Sequence, residues 1–342
     1  MTKMIPSPHS LATGVGALPH MDPVTACNDV LAIFPQFPYV PTLPDRGQLE
    51  SIVFNDSEQL PGRFIKEDRL LFDSTTDHSE AMEKVYMDYV EGNYAPYALH
   101  KEYASGFIEM MSRNLTGVKV LKCQVTGPVT FGMQVVDRQK RPIYYDGQLA
   151  DVLSKMIALR ARWCEQEIKK RTGVSETLVV LNEPYLASLG SSVVPVDKET
   201  VRAGFSDIAA LVEGGLGIHC CSNTDWEFLL ELNPSVISFD AYTTAKEFLL
   251  YADSVVAYME RGGVVAWGIV PSEYKLYAQE TTDSLFDRYL AVRAQLCTHM
   301  PEKLFDAQSL ITPSCGIRFS DLKGALAIMQ TAAGISRRIR EK

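Results

Sequence analysis

Short, nearly continuous apolar runs recur along the chain, and most precede a longer stretch whose apolar positions fall three and four residues apart. Val118–Thr126, Thr177–Glu183 and Gly263–Ile269 have the composition of strands covered on both faces. With Ala12–Ala17, Pro38–Pro41, Leu216–Cys221, Val236–Asp240 and Ser309–Cys315 they make eight candidate strands. Helical periodicity fills the gaps over Gln148–Arg171, Asp197–Glu213, Thr244–Arg261 and Asp321–Arg338. Asp22-Pro23 offers an acidic N-cap and a proline in the first turn of a helix reaching about Ile33. Gly214-Gly215 and Gly262-Gly263 fit helix ends followed by tight turns into the next strand.

Eight strand–helix alternations predict a single α/β domain over residues 1–342, a (β/α)8 TIM barrel, because parallel strands with helical crossovers wind with one hand and can close. The segment GVGALP at 14–19 lacks the GxGxxG spacing of a dinucleotide-binding sheet. Residues from about 42 to 117, between the second and third strands, read as an insertion over one barrel end, with a helix at Tyr97–Asn114.

Composition narrows the function classes. A chain of 342 residues, 46% hydrophobic and 22% charged, has ample core-forming material. A net charge of −9 argues against nucleic acid and against a basic membrane-binding face. The first ten residues have no apolar run resembling a secretory leader, and no stretch is apolar enough to span a bilayer. Seven scattered cysteines, an odd number, fit reduced thiols in the cytoplasm better than a disulfide framework.

The sharpest chemical signal is GIHCCSN at 217–223. Strand alternation puts Gly217, His219 and Cys221 on one face and Ile218 and Cys220 on the other. In VISFD, Val236, Ser238 and Asp240 share a face, and the last strand ends at Cys315. Singly, each of these would read as a core histidine, a buried thiol or a packing carboxylate. Gathered at the C-terminal ends of strands, where barrel enzymes keep their chemistry, His219, Cys221, Asp240 and Cys315 make a soft ligand set suited to tetrahedral zinc. Two thiolates and a carboxylate give an electron-rich zinc, weak at polarising carbonyls but able to lower a thiol's pKa and leave it nucleophilic.

ATGVGALPH at 12–20, TGPVT at 126–130, NEPYL at 182–186, IHCC, ISFD and PSCGI resemble, in that order, the catalytic barrel of cobalamin-independent methionine synthase. IHCCSNTDW at 218–226 is similar to the zinc-dependent methylcobalamin:thiol methyltransferases, which share the uroporphyrinogen decarboxylase-like barrel. The resemblance implies a zinc enzyme that methylates a homocysteine-like thiol, with His219, Cys221 and Cys315 as metal ligands and catalytic residues. Asp240 stands where the synthase has a glutamate ligand, and it reaches the metal directly, reaches it through water, or leaves that position open. Val15, Gly16 and Ala17 match the segment that cradles the amino acid substrate. Asn182 and Glu183 replace an Asp-Glu pair whose aspartate holds the substrate ammonium, so Glu183 is the expected partner for that charge. TGPVT reads equally as a strand-to-helix turn and as a substrate-lining segment.

The expected methyl donor is a methylated corrinoid presented by a partner protein. The synthase's second, N-terminal barrel, which helps enclose a folate, has no counterpart ahead of Met1, and Gln134 stands where the synthase stacks a tryptophan on the pterin. Two alternatives compete: a uroporphyrinogen decarboxylase-like enzyme, which needs several basic residues for substrate carboxylates, and a non-catalytic zinc- or corrinoid-binding barrel with a closed metal shell.

Overall fold

The computed structural model describes residues 2–189, 191, 194–318 and 320–341. Its strands are β1 (Leu11–Ala12), β2 (Arg63–Lys66), β3 (Arg69–Phe72), β4 (Leu121–Thr126), β5 (Thr177–Asn182), β6 (Gly215–Cys220), β7 (Val236–Phe239), β8 (Val264–Val270) and β9 (Ser309–Pro313). Seven of them form one parallel sheet in the order β1-β9-β8-β7-β6-β5-β4, and β2 and β3 form a separate antiparallel hairpin.

The sheet is curled, because both of its edges reach the same short segment, residues 38–42. On the β4 side, Val40 N–H donates to Lys122 O (2.8 Å) and Lys122 N–H to Pro38 O (3.1 Å). On the β1 side, Thr42 N–H donates to Gly16 O (3.1 Å) and Leu18 N–H to Thr42 O (2.9 Å). By its regular strands the fold is mixed α/β with a seven-stranded half-barrel. Inside the curl, Leu11, Val120, Leu178, Val180, Val236, Val264 and Leu310 pack together, while alternate residues such as Val179, Leu181, Ile218 and Cys220 pack against the helices. Burial on both faces is why these strands read as unbroken apolar runs.

The Asp22-Pro23 signal has the predicted outcome, and the long helix expected over Gln148–Arg171 forms with caps that the sequence reading did not name. Asp22 caps Pro23–Ile33 by accepting from Val24 and Thr25 N–H. The longest helix, Gly147–Thr172, starts at an Asp146 cap and stops at Gly173, whose φ of 72° lies in the left-handed region that glycine tolerates.

The structure departs from expectation elsewhere. The single helix expected over 244–261 is two, Ala241–Leu249 and Ala252–Glu260. In the insertion, the helix expected at 97–114 shrinks to Ser105–Met110, while the hairpin and a helix at Ser79–Glu91 take up the chain before it. Ser79–Glu91 packs Met82, Val85, Tyr86 and Tyr89, three and four residues apart, against the core, although of these only Val85 is fully buried. All seven cysteines are free thiols. Among the described residues no helix is long and apolar enough to cross a membrane.

Candidate metal centre

Strand β6 delivers the first ligand. Its register sets His219 beside Asn182 of β5 and Ser238 of β7. His219 is 4% exposed, and its Nδ1 lies 2.9 Å from Ser238 Oγ. With Nδ1–H donating to that hydroxyl, Nε2 presents a bare lone pair, and Nε2 is buried with no hydrogen-bond partner among the described residues. Cys221 follows β6 directly, and Cys315 lies two residues beyond β9. One ligand atom each from His219, Cys221 and Cys315 can be chosen so that all lie within 4.8 Å of one another.

A metal fits this trio on two counts. Tetrahedral zinc with bonds of about 2.3 Å to sulfur separates its ligands by about 3.8 Å, so small side-chain rotations would bring all three into range. The electrostatics also suit a cation. Cys221 is held well below the usual thiol range, first by the hydrogen bond from Cys315 and then, against the cost of burial, by His219. The same bond, with burial, pushes Cys315 up. The pair thus favours negative charge on Cys221, with His219 among the groups that hold it there.

The trio opens onto a cavity of about 290 Å³. Seven of the nine residues singled out in the sequence wall it: Val15, Gly16, Ala17, Asn182, His219, Cys221 and Cys315. They come together because each lies at or just beyond the C-terminal end of a parallel strand. Beneath the Val15–Ala17 cradle lies the buried Lys122, which donates to Gly14 O (3.0 Å), Val15 O and Gln124 Oε1 (3.3 Å). With no carboxylate beside it, burial lowers its ammonium to about 7.

Two expected site residues are placed otherwise. Glu183 faces away from the cavity. Its oxygens accept from Val129 N–H (3.0 Å) and Thr130 N–H (2.7 Å), at the start of the helix Pro128–Gln134. Burial raises its carboxyl to about 7, opposed by those bonds from Thr130 and Val129. Alternation along β5 is the reason: with Asn182 turned inward, Glu183 must turn outward, so it does not take the substrate ammonium from this position. A Cβ on Gly127 would lie 2.2 Å from the Glu183 carboxyl, so glycine makes room for this contact.

Asp240 is likewise outside the trio. It caps Ala241–Leu249, accepting from Thr243 N–H (3.0 Å) and Thr243 Oγ1 (2.7 Å). Burial, with a smaller contribution from Cys221, raises its carboxyl against those bonds.

The cavity also has walls that sequence reasoning missed. Glu50, Ile52 and Asn55 come from the irregular chain before β2, and Arg318 follows Cys315. Glu50 and Asn55 sit in short 3-10 turns, with Ile52 in the link between them, and such turns leave no periodic pattern in the sequence. Within TGPVT, Thr126 lines the cavity while Gly127 and Pro128 begin a helix, so the motif is both turn and wall.

No protein-family model and no curated protein sequence matches this chain. Among solved structures, a B12-independent methionine synthase from a Shewanella species, in complex with selenomethionine, is similar at 15% identity and a TM-score of 0.47, over 64% of this chain and 62% of that one. A beta-mannanase from Alicyclobacillus acidocaldarius is similar at 10% identity and a TM-score of 0.45, over 99% of this chain and 98% of that one. The first likeness spans less than two thirds of the synthase, and the two neighbours differ in chemistry, so any functional reading rests on the site itself.

Proposed function

We propose that this protein is a zinc-dependent methyltransferase that methylates a small, homocysteine-like thiol. The observation that carries the reading is the clustering of His219, Cys221 and Cys315 on the wall of a cavity, with His219 Nε2 left without a hydrogen-bond partner among the described residues. We read residues 38–42 as the second stave of a (β/α)8 barrel, with the insertion that follows lying over its C-terminal mouth.

His219, Cys221 and Cys315 would hold the metal, which when bound would lower an acceptor thiol's pKa and leave it nucleophilic. Three protein donors would leave zinc able to take up an exchangeable ligand, as a catalytic site requires and a closed structural one does not. Ser238 fixes the tautomer and the plane of the His219 ring. The Val15–Ala17 segment, braced from below by Lys122, positions the acceptor. Val15, Ile52 and Pro184 line the cavity with apolar surface that displaces water from the reacting sulfur. In the transfer, the acceptor sulfur forms a bond to the methyl carbon as the carbon–donor bond breaks, and that bonding pair stays with the donor.

For the donor we favour a methylated corrinoid brought by a partner protein. Gln134 lies on the cavity wall and none of the three tryptophans does, so no indole stacks on a pterin there. Arg318 is the single lysine or arginine among the lining residues, a poor match to a decarboxylase that grips several carboxylates. A half-buried, low-pKa thiol such as Cys221 fits the reducing cytoplasm.

Metal analysis paired with an acceptor screen tests the reading. We expect one zinc per chain, lost in Cys221→Ala and Cys315→Ala together with thiol methylation. Methylcobalamin should outperform methyltetrahydrofolate as donor. Full methylation by metal-free protein would refute the metal role, and faster turnover with the folate would refute the donor.

A further inference from the structure

Lys122 is 4% exposed and has no carboxylate beside it among the described residues. It projects from β4 to the underside of the wall formed by Val15–Ala17, and its Nζ donates to Gly14 O (3.0 Å), Val15 O and Gln124 Oε1 (3.3 Å). An ammonium has three N–H donors and a neutral amine only two, so the full set of bonds requires the charged form. Gln124 extends the brace, donating from Nε2 to Val40 O (2.8 Å). A Cβ on Gly16 would lie 2.5 Å from that same amide nitrogen, so glycine lets the segment rest on it.

A trans peptide points its C=O and its N–H in opposite directions, and none of the described peptide bonds is cis. With the carbonyls of Gly14 and Val15 turned down onto Lys122, the N–H groups of Val15 and Gly16 turn away from it. Neither donates to a described residue. Gly16 lines the cavity and has no side chain, so its contribution to the wall is backbone, and its carbonyl is already taken by Thr42 N–H (3.1 Å). Successive N–H groups of this kind favour an anion. The ammonium behind them polarises both peptide units and strengthens them as donors.

We propose that Lys122 is a positioning residue whose ammonium holds the Val15–Gly16 backbone as a seat for a carboxylate of the acceptor molecule. This rests on the thiol-methylation reading above. The charges around the cavity agree with an anion. Zinc held by two thiolates and a neutral imidazole carries no net charge, so the Cys221 sulfur does not repel one. Glu50 is the one carboxylate among the lining residues, and it already accepts from Arg46 Nε (2.7 Å) and Ser105 Oγ (2.8 Å). Arg318 adds positive charge to the same wall. A buried ammonium served only by neutral acceptors is costly, and burial lowers this one to about 7. A carboxylate on the far side of the two peptide units supplies the missing counter-charge.

Calorimetric titration of the full chain with zinc added tests the role, pairing 4-mercaptobutyrate with its amide and 4-hydroxybutyrate with its amide. Members of a pair differ only at the carboxylate, so contributions from the metal cancel in their ratio. The wild-type protein should bind the carboxylate member about ten-fold more tightly, the effect of a hydrogen-bonded charge. Lys122→Met, which keeps the chain length without the charge, should bring the ratio close to one. In the wild type the preference should fall as pH rises through about 7, where the ammonium loses its proton. The titratable groups facing Lys122 do not mimic that fall: the Tyr39 ring, 5.6 Å from Nζ, is kept neutral by burial, and charge on Cys123 would only raise the ammonium. A carboxylate preference unchanged in Lys122→Met, equal binding within each pair by the wild type, or no binding by any of the four overturns the proposal. Should the variant fail to fold, the wild-type pH profile decides alone, and a flat profile overturns it. A carboxylate preference in both pairs that Lys122→Met abolishes, with no advantage of sulfur over oxygen, upholds the role of Lys122 while counting against the thiol reading.

Discussion

Removing the Ser238 hydroxyl isolates the contribution of a residue that supports the metal trio without touching the metal. The Nδ1–Oγ contact is 2.9 Å long and buried on both sides, with His219 and Ser238 each 4% exposed. In Ser238→Ala, Nδ1 is left without a partner in a site closed to solvent, which costs about 1–3 kcal/mol of stability with or without metal. A second effect appears only in metal binding. Without the bond the proton is free to move to Nε2, and the ring is free to turn away from Cys221 and Cys315. Loss of such a supporting contact lowers metal affinity about 10–100-fold, equivalent to about 1.4–2.7 kcal/mol. Competitive titration with a chromophoric chelator measures that affinity, and denaturant unfolding of the metal-free protein measures the stability term separately. Ser238→Thr, which keeps the hydroxyl, should restore most of the affinity. A folded Ser238→Ala protein with wild-type zinc affinity would refute the argument, because the ring would then be held by packing alone.

Glu183 should leave a signature in the pH dependence of stability. Its carboxyl is raised from an ordinary 4.5 to about 7, so the native state binds this proton more tightly than the unfolded chain. The resulting stability is fully present below about pH 4.5 and is lost as pH rises toward 7, on the order of 3 kcal/mol in all. Urea unfolding of Glu183→Gln across that window should lack this slope, and an unchanged slope would show that the carboxyl is not the group responsible. Asp240→Ala should lower stability by about 1 kcal/mol through loss of the helix cap, with zinc content unaltered. Zinc loss from that variant, read by metal analysis, would mean that the carboxylate reaches the metal after all.

Much of the frame was legible because its causes are local. A strand buried on both faces must be apolar along its length, so β4, β5 and β8 announce themselves within a few residues of their observed ends. Asp22-Pro23 acts within one turn of chain. The two-residue period of a strand also separated His219 and Cys221 from Cys220 before any fold was known. That period put His219 and Cys221 on one face, while Val15, Gly16, Ala17 and Asn182 were expected in the site from the resemblance alone, and all six line the cavity with Cys315.

Tertiary structure decided what depends on which segments meet. Ser238 reaches His219 through the register of β6 against β7, which no spacing within either strand specifies. Asp240 has the residue type of a metal ligand, yet the N–H and hydroxyl of Thr243, three residues on, make it a helix cap. Glu183 finds its partners 53 and 54 residues away, at a helix start brought alongside β5 by the sheet order. Asn55 enters the cavity because Thr126 and Arg160, distant in sequence, clamp a strained turn at Val53. Periodicity reports which face of an element is buried. What that face is buried against follows from packing between segments far apart in the chain, and there only the assembled structure could place the walls of the site.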